Sequence, residues 1–193
     1  MILEDSHLKE KNKAFLSILL KGWNNLLDDY DKWEFDRVFW HGREEDLRTY
    51  LFHKIMNELE HRKMAWWETL LRTEITYRRK RLDLALGYNP DDDSYDVGVE
   101  LKPYLSKKSM IKDVVKLKTL LVNSHLKTGV FLGIGARREP WPQILSTWFE
   151  DTGITLDDEK DGKNYWIVRT LKPITVNNQI KRFDAIQIIL RDV

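Results

Sequence analysis

The stretch from Arg81 to Lys102 constrains this chain more than any other, because two alternating runs flank an acidic turn. Arg81-Leu82-Asp83-Leu84-Ala85-Leu86-Gly87-Tyr88 and Val97-Gly98-Val99-Glu100-Leu101-Lys102 each alternate apolar with polar or small residues. Asn89-Pro90-Asp91-Asp92-Asp93-Ser94 between them carries turn-forming residues. The pattern predicts a β-hairpin. With Tyr88 and Tyr95 as opposite residues, Asp83 falls opposite Glu100. Alternation then puts Asp83, Glu100 and Lys102 on one face, and Leu82, Leu84, Leu86, Val97, Val99 and Leu101 on the other. Like charges opposite each other across a strand pair are destabilising unless something neutralises them. A divalent cation would do so, and two carboxylates plus water suit a hard ion such as magnesium.

The rest of the chemistry is bounded by what the chain contains. Its 193 residues, 42% hydrophobic and 33% charged, fit one soluble domain spanning 1–193, with 1–32 as an N-terminal helical extension. Without cysteine, disulfides, thiolate zinc sites and cysteine nucleophiles are excluded, so any metal must be held by oxygen or imidazole. A formal charge of +1 argues against bulk electrostatic attraction to nucleic acid or membrane and leaves only local patches. Glu4 and Asp5 stand where a signal peptide would be basic, and no run approaches the ~20 apolar residues of a membrane span. The expected location is cytoplasmic, with no membrane partner.

Taken in order, the chain predicts a helix over about 8–30, with Phe15, Ile18, Leu19, Trp23, Leu26 and Leu27 as its apolar stripe. Packing on the core is the favoured reading of that helix, ahead of a partner-binding arm. A second helix is expected over about 42–62, carrying Leu47, Leu51, Ile55 and Leu59 inward. Glu44 lies at the inward edge of that stripe and Glu45 points about 100° away. His41, His53 and His61 lack the four-residue spacing of a helical zinc site and read as structural or surface residues. Trp66 and Trp67 read as packing surface. A strand from Glu74 leads through Arg78, Arg79, Lys80 and Arg81 into the hairpin, so this basic run is either a solvated turn or an edge that meets phosphates.

After Pro103 a helix over about 109–124 is expected to bury Ile111, Val114, Val115 and Leu121 and to align Lys108, Lys112 and Lys116 on another side. Gly129–Ala136 then has the continuous apolar character of an interior strand, parallel to its neighbour. Its Gly133 and Gly135 do not make a dinucleotide fingerprint, which needs a third glycine and a helix directly after it. A short helix over 141–150 and strands over 164–170 and 183–190 complete the order. The acidic runs at 91–93 and 157–161 read as turns. The first lacks the glycine and glutamate of a calcium loop, with Asp96 and Lys102 in their places.

This order of helix, three strands, helix and strand, with Asp83 one hairpin before Glu100-Leu101-Lys102, resembles the PD-(D/E)XK nuclease superfamily over roughly residues 44–136. The resemblance implies an α/β fold with a restriction endonuclease-like core. That core is a mixed central sheet flanked by helices in the order αβββαβ, here with an extra N-terminal helix and C-terminal strands. It further implies that Asp83 and Glu100 bind Mg2+, with Mn2+ as a substitute, and that Lys102 positions or activates the attacking water. Glu44 resembles the acid that some members place on the first helix, with Glu45 the alternative. Leu82 departs from the proline in the family's name. The implied activity is a magnesium-dependent deoxyribonuclease hydrolysing phosphodiester bonds, with Arg79, Lys80, Arg81, Lys108, Lys112 and Lys116 meeting DNA. Two alternatives stand beside it: a catalytically silent nucleic-acid-binding or regulatory module, and an interaction protein working through its N-terminal helix. An exposed cross-strand ion pair is the bland reading of Asp83, Glu100 and Lys102. Oligomeric state, a homodimer included, is left open.

Overall fold

A computed structural model describes residues 2–33, 44–64, 71–77, 80–136, 141–157, 164–176 and 178–191. The chain runs α1 (Ile2–Trp33), α2 (Glu44–His61), β1 (Arg72–Tyr77), β2 (Lys80–Asn89), β3 (Ser94–Lys102), α3 (Lys107–Val122), β4 (Leu126–Ala136) and α4 (Trp141–Phe149). A short 3-10 turn (Glu150–Thr152), β5 (Asn164–Thr170), β6 (Ile174–Val176), β7 (Gln179–Lys181) and β8 (Phe183–Arg191) follow. Among the described residues the architecture is α/β, with four α-helices and a six-stranded mixed open sheet ordered β1-β2-β3-β4-β8-β5. β6 and β7 pair as a separate two-stranded sheet.

The hairpin register follows from the turn. Tyr88 pairs with Tyr95, Leu86 with Val97 and Leu84 with Val99, which leaves Asp83 and Glu100 as the next residues where the ladder ends. The acidic turn closes on its own polar groups: Asp92 accepts from Ser94 and Lys127, and Asp93 from the Tyr88 hydroxyl. Gly87 has φ 71, and a Cβ there would lie 2.4 Å from Asp96 Oδ2, so only glycine fits. β4 lies parallel to β3 and antiparallel to β8, an interior strand reached through α3 as a crossover. β8 and β5 extend the sheet beyond it.

Two apolar layers cover the sheet. α1 and α2 pack Phe15, Ile18, Leu19, Trp23, Leu26, Leu27, Leu47, Leu51, Ile55 and Leu59 against Leu84, Leu86, Val97, Val99 and Leu101. On the other face, Met110, Val114, Leu117 and Leu121 of α3 and Leu145 of α4 meet Phe131, Ile186 and Ile188. Leu82 corrects the expected alternation: it belongs to the α3 layer, with Ala85, and not to the layer of Leu84 and Leu86. Val115 is a second correction. It is exposed, because the buried side of α3 runs through Met110, Asp113, Val114 and Leu117 at helical spacing. α3 also starts at Lys107, two residues earlier than expected, because Ser106 and Ser109 form a reciprocal capping box. Gly133 leaves room for Leu105, whose Cδ2 would lie 2.5 Å from an added Cβ. Among the described residues, no helix is long and apolar enough to cross a membrane.

Candidate functional site

The end of the β2–β3 ladder opens into a cavity of about 540 Å³. α2 lends it Glu44, Glu45 and Arg48; β1 and β2 lend Glu74, Arg81 and Asp83; β3 lends Glu100 and Lys102; α3 lends Lys112, Asp113 and Lys116. All of these residues are ionisable, six acids and five bases. Such a lining has no apolar wall for a hydrophobic ligand and suits one that carries charge of both signs or brings a counter-ion.

Asp83 is 6% exposed and Glu100 2%. Asp83 Oδ2 accepts from the Leu101 N–H at 2.7 Å, where the carboxylate takes a strand-edge donor. Its Oδ1 faces Arg48 Nη1 at 3.8 Å. Glu100 Oε2 meets Lys116 Nζ at 2.5 Å, while its Oε1 is buried without a hydrogen-bond partner among the described residues. Burial, and then the Asp83 charge, push the Glu100 carboxyl up to about 8, outweighing the Lys116 ion pair that pulls the other way. Asp83 is raised as well. Burial dominates there, the Leu101 N–H opposes it, and the Glu44 charge adds to it.

Lys102 Nζ donates to Glu44 Oε2 at 2.6 Å and lies 3.4 Å from Asp113 Oδ2. Burial pulls its ammonium down, yet the Glu44 hydrogen bond and the carboxylates of Asp113, Glu44 and Asp83 together hold it above the ordinary lysine value. On α2, Glu44 bonds Lys102, whereas Glu45 is exposed at the cavity edge.

The expected nucleic-acid contacts divide. Arg81, Lys112 and Lys116 line the cavity, whereas Lys80 and Lys108 lie away from it and Arg79 lies outside the described residues. Trp66, Trp67 and His41 also lie outside them, as do Arg78 and the 158–161 part of the later acidic run. His53 and His61 are exposed on α2 and away from the cavity.

Three site residues escaped the sequence. Arg48, buried on α2, bonds Glu74 at 2.7 Å. It sits one turn after Glu44, a spacing that marks a shared face. Asp113 is 4% exposed with Oδ2 lacking a hydrogen-bond partner among the described residues, and it interrupts the apolar stripe of α3 as Glu44 edges that of α2. Glu74 gave no such signal. It holds φ 52 inside β1, a strained conformation for a residue with a side chain, and its carboxylate is clamped by Arg48 and Arg81.

Asp83 and Glu100 can each present one carboxylate oxygen to a hard divalent cation, and the partnerless Glu100 Oε1 is such an atom. Among the described residues no three acids or histidines converge as a ready-made metal cage. The protein would supply two oxygens and leave the remaining positions to water and substrate, which is how magnesium is commonly held. Comparison with family models, with curated proteins and with solved structures returned no match.

Proposed function

We propose that this protein is a divalent-cation-dependent nuclease, hydrolysing phosphodiester bonds in DNA, on a restriction endonuclease-like core of the PD-(D/E)XK kind. One observation carries the reading: two buried carboxylates, Asp83 and Glu100, share an all-ionisable cavity with a lysine, Lys102, held between two further acids. An exposed ion pair has no use for such burial, which is costly unless a cation offsets it.

Asp83 and Glu100 would hold Mg2+ or Mn2+. When bound, such an ion supplies a water of lowered pKa and neutralises charge growing on the phosphate oxygens. Lys102 is kept protonated by its acid neighbours, so its part is to donate a hydrogen bond to the attacking water or the phosphate and not to accept a proton. Glu44 fixes the direction of that ammonium. Arg81 and Lys112 add positive charge at the cavity wall, where the neighbouring phosphates of a strand would lie.

The test is cleavage of a panel of plasmid, linear, single-stranded and branched DNA with Mg2+ or Mn2+ supplied, and its arrest by EDTA. Asp83→Ala, Glu100→Ala and Lys102→Ala should each lower the rate by about a hundredfold or more while circular dichroism stays unchanged. Wild-type rates in any of the three would sink that residue's role. Tight cation-independent binding with no cleavage across the panel would replace the reading with a silent nucleic-acid-binding module.

A further inference from the structure

The cavity holds one cation whose position the proposed nuclease chemistry does not explain. Lys116 projects from α3 with its Nζ 2.5 Å from Glu100 Oε2 and 2.7 Å from the Arg81 carbonyl oxygen, and its side chain is 20% exposed. A lysine serving only to meet a substrate phosphate would face solvent. This one lies against the carboxylate that would hold the divalent cation.

Charge explains the placement. Asp83 and Glu100 are buried, so ionising either of them in the metal-free fold calls for a positive group beside it. Two other cations have closer partners elsewhere: Lys102 bonds Glu44 at 2.6 Å, and Arg48 bonds Glu74 at 2.7 Å while standing 3.8 Å from Asp83. An ammonium on Glu100 Oε2 and a divalent ion on the same carboxylate repel each other and compete for its charge. Lys116 has a second seat. Asp113, one turn earlier on the same helix, presents Oδ1 3.8 Å from Lys116 Nζ, while its Oδ2 faces Lys102 Nζ at 3.4 Å. A rotamer change on one side chain would span that gap without moving the backbone.

We infer that Lys116 is the resident cation of this site: it holds Glu100 Oε2 in the metal-free protein and yields that carboxylate to an incoming divalent cation by shifting its ammonium to Asp113. The inference rests on the reading of Asp83 and Glu100 as cation ligands. It makes Lys116 a determinant of cation affinity and Asp113 a positioning residue that acts through Lys116.

Mn2+ binding to EDTA-stripped protein, read from the electron paramagnetic resonance of free Mn2+ and involving no substrate, tests it. Lys116→Gln should bind Mn2+ about tenfold tighter than wild type, the factor that removal of one competing charge-assisted hydrogen bond gives. Asp113→Asn should weaken binding, and should weaken it less when Lys116→Gln is already present. Unchanged or weaker binding by Lys116→Gln overturns the resident-cation role. An equal loss from Asp113→Asn in both backgrounds overturns the second seat. Absence of Mn2+ binding in both wild type and Lys116→Gln, or binding unaffected by Glu100→Ala, refutes the metal-site reading itself and the inference with it. Should Lys116→Gln fail to fold, a crystal structure of the wild type with Mn2+ decides: Lys116 on Asp113 supports the exchange, and an intact Lys116–Glu100 contact beside a bound ion overturns it.

Discussion

Glu100 carries opposite demands on its two oxygens, one held by Lys116 and the other buried without a partner. Its carboxyl is pushed up to about 8 by burial and by Asp83, from an ordinary value of 4.5. An acid that keeps its proton in the folded state and loses it in the unfolded state destabilises the fold between those two values. In metal-free protein, stability should therefore fall as pH rises from 4.5 toward 8, by on the order of a few kcal/mol, and the effect should vanish below 4.5. Glu100→Gln keeps the shape, removes the ionisation and should flatten that part of the profile, as thermal melts in EDTA across this range would show. A profile in Glu100→Gln that still falls with the wild-type slope would place the titration elsewhere. At this scale the hairpin pattern made Asp83, Glu100 and Lys102 visible, because strand alternation is local. Glu74 stayed hidden because its importance comes from the Arg48 and Arg81 guanidiniums that face it.

Two helices show how much of an element its own periodicity determines. The stripe of α1 is legible as one residue in three or four, and the structure buries it against α2 and the sheet. Trp23 is fully buried at its centre, so Trp23→Ala should cost roughly 3–5 kcal/mol in denaturant unfolding. Deleting residues 2–33 should strip the sheet of the α1 part of its cover on that face and leave a protein that binds a hydrophobic dye and melts without cooperativity. A truncated chain that stays cooperatively folded would show instead that α1 is an addition to a self-sufficient core. α3 is less legible in its own periodicity. Its lysine row at 108, 112 and 116 is correct as a helical row, yet only Lys112 and Lys116 line the cavity. The apolar positions of α3 admitted two phases, and the one the fold uses buries Asp113 where the expected one buried Val115.

At the scale of the whole molecule, a formal charge of +1 spread over 32 basic and 31 acidic residues leaves little long-range field. The proposed nucleic-acid binding would then rest on a few cavity-side cations, and its salt dependence should be shallow. Lys112→Ala, which removes an exposed cavity-lining charge, should lower the slope of log affinity against log salt by about one. An unchanged slope would take Lys112 out of the phosphate path. Spacing along one segment and locally acting turn residues were enough for the element order outside the unexpected β6–β7 pair, for the hairpin register and for the apolar stripes of α1 and α2. Three pairings appear only once the chain has packed: Glu44 bonds Lys102, Lys116 sits on Glu100, and Leu82 leaves the layer of its neighbours. Those pairings join residues from different segments, and their energies depend on burial and on neighbouring charges that exist only once the layers have closed.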